Sequence, residues 1–215
     1  MNLKYKEIKK HIPEFLEVYK DRPIENNIGG MMLPHLYATW FMLRELNPDI
    51  IIESGTFKGL GTWIMEQACP DAKITSIDIR DQREYISKKV FYEDSDITEF
   101  DWDLMLMSGK AVIHFDDHQN ALERIIWAKE RGFKHLIFED NYPEGKGDCV
   151  SLKQHPEVCK KLKQYIEFPP IFRLEYTRWG DKIPMPEPVC SNVTVINKPF
   201  FDESKWYTWI AYVNL

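Results

Sequence analysis

From Lys4 to Tyr19 the apolar residues Ile8, Ile12, Phe15, Leu16 and Tyr19 recur three or four apart, as on one face of a helix. Asp21-Arg22-Pro23 ends that helix, since proline cannot continue it. Asn26-Asn27-Ile28-Gly29-Gly30 is a loop by composition, a connector or a lid. Pro34 opens a second helix with Leu36, Trp40, Leu43 and Leu46 inward, closed by Asn47-Pro48. The period then shortens. Ile50-Ile51-Ile52 is a β-branched run that predicts a strand buried on both faces. A glycine-containing turn and an amphipathic stretch from Leu60 to Ala68 follow, then a second strand over Lys73–Asp78. Lys89–Tyr92, Ala111–Phe115 and His135–Phe138 read as the third, fourth and fifth strands, with helical spacing between Asn120 and Arg131. Strand and helix in alternation predict an α/β, Rossmann-like, mostly parallel sheet with helices on both faces.

The tail has another rhythm. Arg173–Thr177, Asn192–Ile196 and Trp206–Val213 read as strands without helices between them, which predicts an antiparallel C-terminal edge. With 215 residues and no repeat or linker, the expectation is one domain over 1–215. A helical extension covers 1–47, a core 48–155, and C-terminal strands and substrate-shaping loops 156–215.

Composition narrows the function. Hydrophobic residues at 44% supply a core, and a net charge of −6 removes the broad electrostatic attraction that nucleic acid offers a basic protein. No nucleic acid partner is therefore expected. No apolar run reaches the roughly 18 residues that span a bilayer, and the charged start lacks the apolar block of a secretory signal. These features predict a cytoplasmic chain with no membrane partner; self-association is left open. Cys69, Cys149, Cys159 and Cys190 form no CxxC pair and read as reduced thiols.

In an open α/β sheet, ligands collect at the C-terminal ends of the strands. The first strand ends in Glu53-Ser54-Gly55-Thr56-Phe57-Lys58-Gly59-Leu60-Gly61-Thr62, where glycines permit a tight turn and a close approach to the main chain ahead of a helix. Asp78 ends the second strand, where its carboxylate can accept both hydroxyls of a ribose; a plain turn with a surface Asp is the alternative. The spacing is neither GxxxxGK[ST] nor GxGxxG.

The fourth strand ends in Asp116-Asp117-His118-Gln119 and the fifth in Glu139-Asp140-Asn141-Tyr142. Adjacent parallel strands lie about 4.8 Å apart, so these ends converge. Carboxylates so crowded repel one another or take up protons unless a cation joins them, and hard oxygen ligands suit Mg²⁺ or Mn²⁺. Asp116, Glu139 and Asp140 are the expected ligands, with Asp117 as a substitute for Asp116; helix capping is the alternative. His118 is either a general base beside the metal, with Asp117 next to it, or a helix cap. His114 is expected in the core and His35 on a helix face.

The spacing ExGxxxGxxT resembles the first motif of class I S-adenosylmethionine-dependent methyltransferases. By that resemblance Glu53, Gly55, Thr56 and Gly59 line the methionine end of S-adenosylmethionine, Asp78 holds its ribose, and Asp94 and Ser95 contact its adenine. The acidic pairs after strands four and five, with Tyr142 close behind, resemble the metal-dependent macrocin O-methyltransferase and cephalosporin-hydroxylase-like groups, over roughly residues 33 to 155. Two departures are Arg131-Gly132-Phe133 in place of a double glycine, and Glu-Asp in place of Asp-Asp. The resemblance implies divalent-metal-assisted O-methylation of a small hydroxylated acceptor, a sugar or secondary metabolite. The rivals are a nucleotide- or sugar-nucleotide-binding module that transfers no methyl group, and a metal-dependent hydrolase or phosphoryl-transfer enzyme using the same carboxylates.

Overall fold

The computed structural model describes residues 1–100, 102, 109–173, 179–180, 182 and 185–215. Six α-helices and seven strands are found among them. They are α1 (Tyr5–Lys20), α2 (Leu33–Leu46), β1 (Ile50–Ser54), α3 (Leu60–Ala68), β2 (Lys73–Ile77), β3 (Val90–Glu93) and β4 (Ala111–Phe115). Then come α4 (Ala121–Glu130), β5 (His135–Phe138), α5 (Pro156–Cys159), β6 (Gln164–Glu167), α6 (Lys198–Asp202) and β7 (Ala211–Asn214).

The strands form one sheet in the order β3-β2-β1-β4-β5-β7-β6. β1 to β5 pair in parallel, and β7 runs antiparallel to both β5 and β6. The Rossmann-like architecture and the antiparallel edge are those the pattern predicts. Successive side chains of a strand point to opposite faces, and β1 shows it. Ile51 packs with α1, α2 and α3, while Ile50 and Ile52 pack with Ile125, Trp127 and Ala128 of α4. Both faces are covered, which is why the run is apolar throughout. Asn47 ends α2 in a left-handed conformation (φ 44°), its N–H donating to the Leu43 carbonyl. No helix among the described residues is long and apolar enough to cross a membrane.

The tail departs from the expectation in composition rather than in kind. Asn192–Ile196 is not a strand: Asn197 accepts the Thr194 N–H and donates to the Asn192 carbonyl, folding the segment into a turn before α6. Val193, Val195 and Ile196 are β-branched, but they lie exposed and have no strand partner. Beyond Arg173, the expected strand at 173–177 lies outside the described residues. The outer strand is β6, whose residues are all half-buried and show no strong alternation. His35 is buried too, because α1 and the C-terminal segment cover the side of α2 left free in the one-face reading.

The order of strands reverses between β1 and β4, the switch point at which such sheets bind ligands. The ladder runs one residue past each strand there. Asp116 N–H donates to the Ser54 carbonyl and Glu139 N–H to the Phe115 carbonyl, at 2.8 and 2.9 Å. These bonds bring the acidic pairs into line beside the glycine turn.

Candidate functional site

The turn after β1 is closed by its own neighbours. Asp78 Oδ2 accepts the N–H groups of Thr56 and Phe57, each at 2.9 Å, and its Oδ1 accepts the Arg80 N–H at 3.0 Å. A carboxylate offers about four acceptor positions, so Asp78 keeps room for one ligand hydroxyl rather than two. Glu53 is fully buried, and its Oε2 accepts from Thr62 and Ser76 hydroxyls at 2.5 Å. Burial pushes its carboxyl up to about 7, against the pull of those two donors. Glu53 therefore braces the turn from beneath. Thr56 is buried as well, its hydroxyl on Ser76.

The glycines serve packing. At Gly55 (φ 98°) a Cβ would stand 2.0 Å from the Asp116 carbonyl oxygen, so only glycine lets β1 and β4 end side by side. At Gly59 (φ 94°) a Cβ would meet the Tyr85 carbonyl oxygen at 2.6 Å. Gly59 thus abuts the loop after β2.

Two cavities open at this edge. The first, about 370 Å³, is lined by Ser54, Gly55, Phe57, Asp78, Ser95 and Asp96 among others. The second, about 450 Å³, includes His35, Glu139, Asp140, Tyr142, Trp179 and Trp206 in its wall. Gly29, Gly30, Asp116, His118 and Asp148 line both. The 26–30 loop thus forms part of the partition, with Gly30 tight against Phe57. Of the two residues expected at adenine, Ser95 reaches the first cavity and its buried hydroxyl has no hydrogen-bond partner. Asp94 is exposed and pairs with Arg83 at 2.7 Å.

The acidic pairs divide. Asp116 and Asp140 converge with His118, one ligand-type atom of each lying within 4.8 Å of the others. His118 takes a left-handed conformation (φ 53°), its Nδ1 on Asp148 at 2.9 Å and its Nε2 3.5 Å from Asp140 Oδ2. Asp140 Oδ2 is buried and accepts no hydrogen bond. Burial, then the charges of Glu139 and Asp140, hold the Asp116 carboxyl well above the usual carboxylate range. Burial lowers the His118 imidazole, but Asp140 and Asp148 outweigh it and leave it raised. The Asp116 and Asp140 carboxylates, one of them with an unsatisfied buried oxygen, fit a divalent cation beside His118.

Asp117 and Glu139 also reach the cavity walls, but each has a protein partner. Asp117 accepts from Ser54 Oγ at 2.7 Å and Arg124 Nε at 2.9 Å. Glu139 is buried against His35 Nδ1, and His35 Nε2 accepts the Thr208 N–H at 2.9 Å. A backbone N–H only donates, so the His35 proton sits on Nδ1, facing Glu139. The Glu139 pairing does not announce itself in sequence, because His35 and Thr208 come from distant segments, whereas Arg124 lies only seven residues after Asp117. His114 is a core residue as expected: burial brings its imidazole down to about 3. Cys149 is kept a thiol, burial and Asp140 pushing it up to about 12.

No family model matches the chain, and no curated protein matches it. Solved structures do. The cofactor-bound Rv0187 from MTB aligns with a TM-score of 0.52 and 10% identity, over 94% of this chain and 87% of that one. The O-methyltransferase from Bacillus cereus in complex with S-adenosylhomocysteine (SAH) gives 0.48 and 14%, over 74% and 84%. The SAH-bound methyltransferase PaMTH1 from Podospora anserina gives 0.41 and 13%, over 62% of this chain and 61% of that one. The chain thus spans about three fifths of the Podospora protein's length. The likeness to Rv0187 is one of fold, a mostly parallel Rossmann-like sheet.

Proposed function

We propose that the protein is an S-adenosylmethionine-dependent O-methyltransferase acting on a small hydroxylated acceptor with help from a divalent cation. The observation that carries this reading is the pair of cavities meeting at Asp116, His118 and Asp148. One has a glycine turn and Asp78 in its wall, as a nucleoside-bearing ligand requires, and the other has carboxylates and aromatic rings. When bound, S-adenosylmethionine supplies an electrophilic methyl group, and the cation a charge that acidifies a hydroxyl.

The chain's own residues then divide the work. Gly55 and the main chain around it let the ligand lie close to the end of β1, and Asp78 accepts a ribose hydroxyl. Ser95 offers its unpaired hydroxyl to the nucleoside. Asp116 and Asp140 would hold the cation. Asp148 fixes His118 through Nδ1, so that Nε2 faces the shared wall and takes the acceptor's proton as the oxygen attacks. Glu139, expected as a ligand, instead stays with His35, and Asp117 stays with Arg124. Tyr142, Trp179 and Trp206 flank the acceptor and exclude water. The protein contributes chiefly positioning and charge.

Calorimetric titration tests the reading. Binding of SAH, with no binding of ATP or a sugar nucleotide, supports it. The reverse pattern favours a nucleotide-binding module or a phosphoryl-transfer enzyme.

A further inference from the structure

Arg124 lies in α4 with its side chain 8% exposed, and it uses its guanidinium on two loops at once. Its Nη1 and Nη2 donate to the two oxygens of Asp96 at 3.0 and 2.6 Å. Its Nε donates to Asp117 at 2.9 Å. Asp96 follows β3 and Asp117 follows β4, and both line the first cavity. The bonds from Arg124 hold the Asp96 carboxyl well below the usual carboxylate range, so that the pair stays charged. A guanidinium is a rigid planar fork, which fixes the two loops relative to each other as a flexible ammonium cannot.

Asp96 and Asp117 both line the first cavity and not the second, but their loops differ in their neighbours. A methyl group passes to an acceptor where the cavities share a wall, at Asp116 and His118, the two neighbours of Asp117. Ile79, Ser95, Asp96 and Ile97 line the first cavity alone and are left for the nucleoside. We propose that Arg124 is a positioning residue that sets the nucleoside end of the cofactor cavity at a fixed span from its reacting end. The proposal rests on the methyltransferase reading.

The test compares wild type with Arg124→Lys and Arg124→Gln by calorimetric titration with SAH and with adenosine, alongside thermal unfolding. The lysine variant keeps the charge and carries the test should the glutamine variant fail to fold. Folded variants are expected to lose about 10-fold or more in affinity for SAH, the scale on which groups supporting a site act. Adenosine should lose less, because it occupies the nucleoside end alone and does not cross the span. A lower melting temperature with unchanged affinities makes Arg124 a scaffold residue and overturns the proposal. Equal losses for SAH and adenosine overturn the span, since Arg124 would then support the nucleoside end alone. Wild type that binds neither ligand removes the methyltransferase reading, and the proposal with it.

Discussion

The turn after β1 and the carboxylate cluster after β4 and β5 occupy the same edge of the sheet, yet their polar groups are satisfied in opposite ways. In the turn, Asp78 caps two main-chain N–H groups and Glu53 takes two hydroxyls. In the cluster, each acidic pair gives one member to a protein partner, Asp117 to Arg124 and Glu139 to His35. The other members, Asp116 and Asp140, face each other beside His118. Buried polar groups are ordinarily paired, and like charges in low dielectric repel. Apart from the buried Glu53 Oε1, which has no hydrogen-bond partner, the turn is closed by its own chain, whereas the cluster crowds like charges and gains from a charge brought from outside.

The largest expected effect comes where the two regions touch. Gly55→Val places a β-branched side chain at φ 98°, with its Cβ 2.0 Å from the Asp116 carbonyl oxygen. Left-handed strain and overpacking together should cost about 4 kcal/mol or more in urea unfolding. A loss under about 1 kcal/mol would show that the turn and the cluster are not in rigid contact.

Glu53 tests the scaffold side through pH. Its carboxyl is raised from 4.5 to about 7, so the folded state holds the proton more tightly than the unfolded one. Between those values the unfolded chain binds fewer protons, and stability falls as pH rises, by about 3 kcal/mol in total. The loss levels off above about pH 7. Glu53→Gln cannot ionise, and its stability should vary less over that window by this amount, measured by urea unfolding at pH 4 to 8. Equal pH slopes in the two proteins would mean that folding leaves the Glu53 carboxyl at its ordinary value.

The parallel half of the fold could be read from the chain because β1, β4 and β5 are apolar runs covered on both faces and α1 and α4 each carry one apolar stripe. α3, β4 and β5 fall where the periodicity puts them. The acidic pairs were legible as a cluster, since strand ends in a parallel sheet must converge. Which member of each pair converges with His118 was not, because Arg124 and His35 decide it and lie on helices packed against opposite faces. The tail was read poorly for the same kind of reason. β6 is an edge strand with no alternation to show, whereas the apolar residues of 192–196 are exposed in a turn.

Asp140 tests the cluster side. Asp140→Asn keeps the shape and removes one charge, so affinity for Mg²⁺ or Mn²⁺ should fall about 10–100-fold by calorimetry. SAH binding should persist, and the cation-free variant should be no less stable than cation-free wild type, because crowding is relieved. Glu139→Gln is the internal control, since Glu139 is turned to His35, and it should retain most of the cation affinity. A variant ranking in the opposite order would put Glu139, rather than Asp140, on the cation.

The smallest effect is expected at the rim. Asp94 and Ser95 are consecutive, and sequence resemblance gives both to adenine, but their surroundings differ. Asp94 is exposed with its charge on Arg83, and Ser95 lies on the cavity wall with its hydroxyl unpaired. An exposed ion pair contributes about 0–1 kcal/mol, so Asp94→Ala should leave stability nearly unchanged. Its SAH affinity should stay within about threefold of wild type, because a rim charge screened by water and salt contributes little to a ligand it does not touch. Ser95→Ala removes a group that a bound nucleoside can pair with, and a hydrogen bond is worth about 0.5–1.5 kcal/mol, so it should weaken SAH more than Asp94→Ala does. If the ranking is reversed, Asp94 leaves Arg83 to meet the ligand, and the rim belongs with the cluster as a region completed from outside.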